Sequence, residues 1–213
     1  VSSAASDVYK RQGIFFARLV MKMKPVSRGI LDGILTMPLV LPPTVAGFIL
    51  LLLFSLRRPF GAFLLDNFDI KIVQTWKGCV IAASVIAFPL MYRNARAAFE
   101  QVDVNLIAAG KTLGMSDRRI FWTVVMPTAA PGIASGTVLA FARAIGEYGA
   151  TSMLAGNILG KTRTVSVAIA SETAAGNYGM AGFWVVVILI ISFVIVAAIN
   201  IVSGKGMKMG RWM

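Results

Sequence analysis

Histidine is absent from the 213 residues, and cysteine occurs once, as Cys79. Cys/His zinc sites, Cys–His catalysis and a disulfide framework are thereby excluded. Charged residues are scarce as well. They make up 14% of the chain, roughly half the ~25% of an ordinary soluble domain. Acidic residues number 9 against 21 Lys and Arg, for a net charge of +12. What the chain has instead is apolar bulk: 57% hydrophobic residues and a mean hydropathy of +0.77. That balance excludes a disordered chain and a water-soluble enzyme. In a soluble protein the positive charge would suggest nucleic acid. Here it points to the basic flanks of membrane spans, so membrane lipid is the expected surround and no nucleic-acid partner is expected.

A spanning helix needs about 20 mostly apolar residues. Gly33–Leu56 has 24 residues without a charge, Ile120–Ala142 has 23, and Thr173–Gly204 has 32. Gly78–Tyr92 gives 15, but Lys77 and Arg93 can snorkel from its ends. Gly13–Met23 is apolar except for Arg18 and Lys22 and is too short to cross alone. The expectation is an all-α membrane protein with spans near 13–23 (partial), 33–56, 77–93, 128–150 and 181–203. Residues 1–12 are polar and mixed and lack the order of a signal peptide. They read as a foreign segment or a fragment edge, with the first helix truncated.

Orientation follows from the Lys/Arg bias of short loops. One set of loops holds eleven cations, among them Lys22, Lys24, Arg28, Arg93, Arg96, Lys111, Arg118, Arg119, Lys205, Lys208 and Arg211. The other holds six: Arg57, Arg58, Lys71, Lys77, Lys161 and Arg163. The first set is expected in the cytoplasm, which puts 93–125 and the C-terminus inside, and 57–77 and roughly 154–175 outside. Prolines mark the spans as more than anchors: Pro38, Pro42 and Pro43 are read as interrupting the second, Pro89 the third, and Pro131 as opening the fourth. Gly132 and Gly136 form a small-xxx-small face that lets helices approach closely.

The 94–127 segment is too long and too patterned for a simple connector. Ala95, Ala97, Ala98, Phe99, Val102, Leu106 and Ile107 make a helix-forming stretch. Gly114 breaks it, Ser116 is a plausible N-cap, and Asp117 suits the first turn of a second helix. Two phosphate-loop look-alikes fail. Ala109-Gly110-Lys111-Thr112 has Asn105 where the motif needs glycine, and Gly156–Thr162 is one residue short.

Ala108-Ala109-Gly110-Lys111-Thr112-Leu113-Gly114, nine residues, then Val124-Val125-Met126-Pro127 resembles the EAA loop of ABC importer permeases. Ala108 stands at the family's Glu position, which removes a charge from that contact. Met37–Val45, Phe88–Met91, Gly136–Arg143 and Gly146–Thr151 are most similar to molybdate/tungstate permeases, with sulfate permeases close behind. The resemblance implies a polytopic helical bundle of the ABC importer permease type with a cytoplasmic coupling helix, spanning 13–213, in a bacterial or archaeal inner membrane. It implies a second copy of the chain, two ABC ATPase subunits that carry ATP and Mg, and a periplasmic or lipid-anchored oxyanion-binding protein. The chain itself would bind no cofactor and would be no enzyme.

Coupling of that kind needs a short rigid element with small residues at the contact. Ala108, Ala109, Gly110 and Gly114 supply it, Asp117 and Arg118 can set register, and Glu100 and Asp103 are candidate rim contacts. Arg143 and Glu147 lie at i and i+4 near or within the fourth span, where charges are functional candidates by default. Thr44, Thr151 and Ser152, beside broken-helix ends, are further pore or gate candidates for weak oxyanion contact. There is no catalytic and no metal-ligating set. Sulfate or thiosulfate import is the alternative within the same architecture. An intramembrane enzyme needs a richer set of reactive groups than Arg18, Arg143 and Glu147 provide. A passive channel has no reason to keep the EAA spacing.

Overall fold

The computed structural model describes the backbone of residues 2–21 and 23–207 and the side chains of 8, 10–21 and 23–197. Among these residues the structure is all-α, without strands. Lys22, the side chains of Lys205 and Lys208, Arg211, and the ends of the 1–12 and 181–203 segments lie outside the described residues.

The helices in order are α1 (Ser2–Met21), α2 (Pro25–Val40), α3 (Pro43–Phe54), α4 (Pro59–Phe68) and α5 (Trp76–Glu100). Then come α6 (Val104–Thr112), α7 (Asp117–Ile120), a π turn (Phe121–Val125), α8 (Met126–Ile145), α9 (Gly149–Leu154), α10 (Val165–Ala174) and α11 (Tyr178–Met207). By length and composition α5, the continuous stretch Asp117–Ile145 and Tyr178–Ala197 can each cross a membrane. α2 and α3 pass that test only together, bent by 110°.

α5 is the central post, with α1 on one side and α8 on another. Its buried face is unusually small-residue rich, with Ala82, Ala83, Ala87, Ala95 and Ala98. Gly132 and Gly136 of α8 meet this face as the sequence suggests. A Cβ on Gly132 would sit 2.7 Å from the Ala98 Cβ, and one on Gly136 would collide with the Asn94 side chain. Close backbone approach substitutes here for the hydrophobic effect, which is weak between helices in lipid. The apolar side chains of α11, such as Phe183, Leu189 and Phe193, are exposed.

Three expectations need correction, and one is met. Residues read as lying outside the first helix are helical from Ser2 onward. The 33–56 span is interrupted at Pro42 and Pro43 as expected, because two successive X-Pro bonds force extended backbone at Leu41 (ψ 141°) and Pro42 (ψ 134°). Single prolines do not break their helices: Pro38, Pro89 and Pro131 all lie inside α2, α5 and α8, with helix on both sides. The helix expected over 128–150 runs instead from Asp117 to Ile145 and hands over to the separate short helix α9.

Candidate functional site

The chain leaves α5 at Glu100 and makes a tight elbow before entering the next span. Asp103 is the N-cap of α6, its carboxylate accepting from the Asn105 amide at 2.8 Å. At the other end Gly114 adopts φ +73°, with nothing within 4 Å of the place a Cβ would take. Its amide donates to the Lys111 carbonyl at 2.9 Å, and the Met115 amide donates to the Gly110 carbonyl at 3.0 Å. That paired closure requires a left-handed residue, which only glycine adopts freely. Ser116 then caps α7 through the Arg119 amide, and Asp117 sits in the first turn. Asp117 also lies 3.9 Å from the Lys111 ammonium.

The small residues of the elbow divide into two groups. Gly110 is buried, and a Cβ there would meet Ile120 Cγ1 at 3.0 Å, so glycine lets α6 close onto the turn below. Ala108, Ala109, Gly114, Asp117 and Arg118 are exposed. Beside them stand large apolar side chains that nothing in the chain covers: Val104 is 75% exposed and Leu113 79%. Sequence reasoning missed these two; an apolar residue next to a helix-ending glycine was the available signal.

Glu100, a candidate rim contact by sequence, is engaged within the chain. It pairs with Arg28 and accepts from the Arg96 Nε at 2.9 Å. Arg96 also reaches Asp32 at 2.6 Å, and the Tyr92 hydroxyl donates to Asp32 at 2.7 Å. This network ties α2 to the last turns of α5, directly above the elbow. On the other side Arg18 stacks 3.8 Å from the Phe121 ring centroid, placing a charge read as intramembrane against the start of the fourth span.

At the far end of α8 the second set of candidates comes together. Arg143 donates to Glu147 at 2.8 Å. The Glu147 side chain is 1% exposed, and its other oxygen accepts from the Ala150 amide at 2.7 Å. Glu147 therefore caps α9 while it pairs with Arg143. Gly149 allows the tip of α9 to touch α3: a Cβ there would lie 3.0 Å from the Pro43 Cβ and 3.1 Å from the Thr44 amide. Thr44 is exposed at the start of α3, and Ser152 donates back to the Gly149 carbonyl at 3.0 Å. Thr151 is buried and lines, with Glu147, a cavity of about 350 Å³ bounded by α5, α8, α11 and the loop before α10. No group of three or more potential metal ligands occurs among the described residues.

Comparison with known proteins agrees with this architecture. The model of the family described as binding-protein-dependent transport system inner membrane component matches residues 12–202. The molybdenum transport system permease protein ModB of Escherichia coli K12 is 46% identical over 171 residues, covering 79% of this chain and 75% of that protein. The putative molybdenum transport system permease protein YvgM of Bacillus subtilis 168 is 42% identical over 163 residues, 76% of this chain and 72% of that one. The sulfate transport system permease protein CysT of Salmonella typhimurium LT2 is 32% identical over 193 residues, 91% of this chain and 69% of that one. Among solved structures, a chain of the inward-facing MetNI methionine ABC transporter superposes with a TM-score of 0.68 at 15% identity, covering 96% of this chain and 92% of that chain.

Proposed function

Since the chain belongs to the family of binding-protein-dependent transport system inner membrane components, we propose that it carries molybdate, or tungstate, into the cytoplasm as one of two identical permease subunits. It is an inner-membrane permease subunit of an ABC importer and not an enzyme; ATP hydrolysis belongs to a partner. In this reading two ATPase subunits, loaded with ATP and Mg, dock on the cytoplasmic side. A periplasmic or lipid-anchored binding protein delivers the oxyanion from the other. Support for the substrate comes from the higher identity to molybdenum permeases, 46% and 42%, than to a sulfate permease, 32%.

The observation that carries the coupling role is the elbow itself. It is short, capped at both ends, and continuous with two candidate spans. It presents Val104 and Leu113 with small and charged neighbours, as a docking surface for a partner does. ATP-driven closure of the ATPases would press on α6 and α7. Because Asp117–Ile145 is one continuous helix, displacement at Asp117 reaches Arg143 and Glu147 at its far end. There the Glu147 cap and the Gly149–Thr44 contact hold α9 against α3, so movement of α8 shifts the gate. Sulfate import is the second reading, favoured by the 91% of the chain that aligns with the sulfate permease.

The test is transport by the complex reconstituted in proteoliposomes with its ATPase and binding protein. The expected result is ATP-dependent molybdate uptake that excess sulfate does not suppress. Suppression by sulfate with molybdate ineffective in return selects the second reading. Uptake that persists without the ATPase overturns both.

A further inference from the structure

Glu147 withdraws the most obvious anion donor at the gate, since the Ala150 amide is already taken and Arg143 is already paired. Across the same cavity lies a different set of groups. The loop after α9 turns back on itself, with the Ile158 carbonyl accepting from the amides of Lys161, Thr162 and Arg163 at 3.1, 2.9 and 3.1 Å. This hairpin contributes Lys161, Thr162, Arg163 and Thr164 to the wall of the cavity that Glu147 and Thr151 also line. Arg163 spends one terminal nitrogen on Glu172 at 3.1 Å. Its Nε is buried and has no hydrogen-bond partner. Lys161 forms no ion pair among the described residues. The Thr162 and Thr164 oxygens accept from the Ile158 and Val167 amides, which leaves each hydroxyl hydrogen free to donate.

A buried guanidinium N–H without an acceptor carries a desolvation cost, and the group that relieves it best is an anionic oxygen. An ammonium and two hydroxyls on the same wall extend the pattern to several oxygens at once. The acids nearby are each balanced, Glu147 by Arg143 and Glu172 by Arg163, so Lys161 leaves the wall net positive. At about 350 Å³ the cavity admits a small tetrahedral ion with part of its water.

We propose that this cavity is a transient stop for a divalent tetrahedral oxyanion, held by Lys161 and the Arg163 guanidinium and lying at the outward end of the path. The proposal rests on the oxyanion reading above and adds the residues that read the charge. The contact is weak by design, because Lys161 remains solvent-accessible and can exchange the ion for water.

The experiment uses the complex in proteoliposomes with saturating molybdate-loaded binding protein. Lys161→Glu reverses a charge beside a divalent anion, and maximal uptake is expected to fall roughly tenfold. Lys161→Arg should restore it, which a merely structural role for the exposed side chain would not require. Each variant is compared at equal membrane abundance, in vesicles with and without anionic phospholipid. A loss of equal size in both lipids supports the oxyanion stop. A loss confined to anionic lipid assigns the wall to a lipid phosphate and overturns the proposal, as does Lys161→Glu uptake equal to that of the parent. Failure of the parent complex to take up any oxyanion overturns the substrate reading itself, and this proposal with it.

Discussion

Replacing Glu147 separates its two duties. Its carboxylate is almost wholly buried, pairs with Arg143 and caps α9 through the Ala150 amide. Glu147→Ala leaves that buried amide without an acceptor, a cost of about 1–3 kcal/mol. It also leaves Arg143 unpaired. One-third of the Arg143 side chain is exposed, so water screens it and the lost pair adds only about 0.5 kcal/mol. The sum is about 1.5–3.5 kcal/mol. Glu147→Gln keeps an amide oxygen for Ala150 and loses only the charge, for about 1 kcal/mol. A chain of this length loses about 2–4 °C of melting temperature per kcal/mol. Thermal unfolding of the detergent-purified complex should therefore show the alanine variant clearly below the glutamine variant, with glutamine close to the parent. Equal melting temperatures for the two variants would refute the capping role and leave only the ion pair. Uptake should follow the same order, because α9 is held against α3 by the structure that Glu147 caps.

Gly114→Val forces a β-branched residue into the left-handed region at a cost of about 1–2 kcal/mol or more. It should reduce substrate-stimulated ATP hydrolysis at normal membrane abundance, and unchanged stimulation counts against the elbow. Gly136→Ala inserts a methyl group into the Asn94 side chain and should lower the melting temperature, whereas Gly29→Ala meets nothing within 4 Å and should leave it equal or slightly higher. Asp32→Asn and Arg96→Gln should each destabilise modestly, and the double variant by less than the sum, since they share one contact at 2.6 Å. Strict additivity in that cycle would show that the Asp32–Arg96 contact contributes no coupling.

Local chemistry made part of this molecule legible in advance. Gly114 and Ser116 act through a turn and a cap set within a few residues, Gly132/Gly136 mark by their own spacing a face open to close approach, and each is found in that role. The family is legible for the same reason, because the elbow's spacing is local. Proline was harder. A lone Pro89 or Pro131 is carried by the helix on either side of it, while Pro42–Pro43 turns the chain, and the difference lies in the two consecutive residues forced to be extended. Long-range pairing was not legible at all. Asp32 meets Tyr92 across 60 positions and Arg28 meets Glu100 across 72, and no periodicity encodes either. Nor did the sequence reveal that Glu147 would spend its second oxygen on Ala150, because that depends on α8 ending at Ile145.

In the proposed mechanism the α6–α7 elbow is the face on which the ATPase works. Leu113→Cys tests it directly, since Leu113 is exposed while the native Cys79 is buried and contributes little background. In membrane vesicles the introduced thiol should react with an impermeant maleimide only from the cytoplasmic side, and assembly with the ATPase should protect it. Labelling from the exterior, or equal labelling with and without the ATPase, contradicts the account.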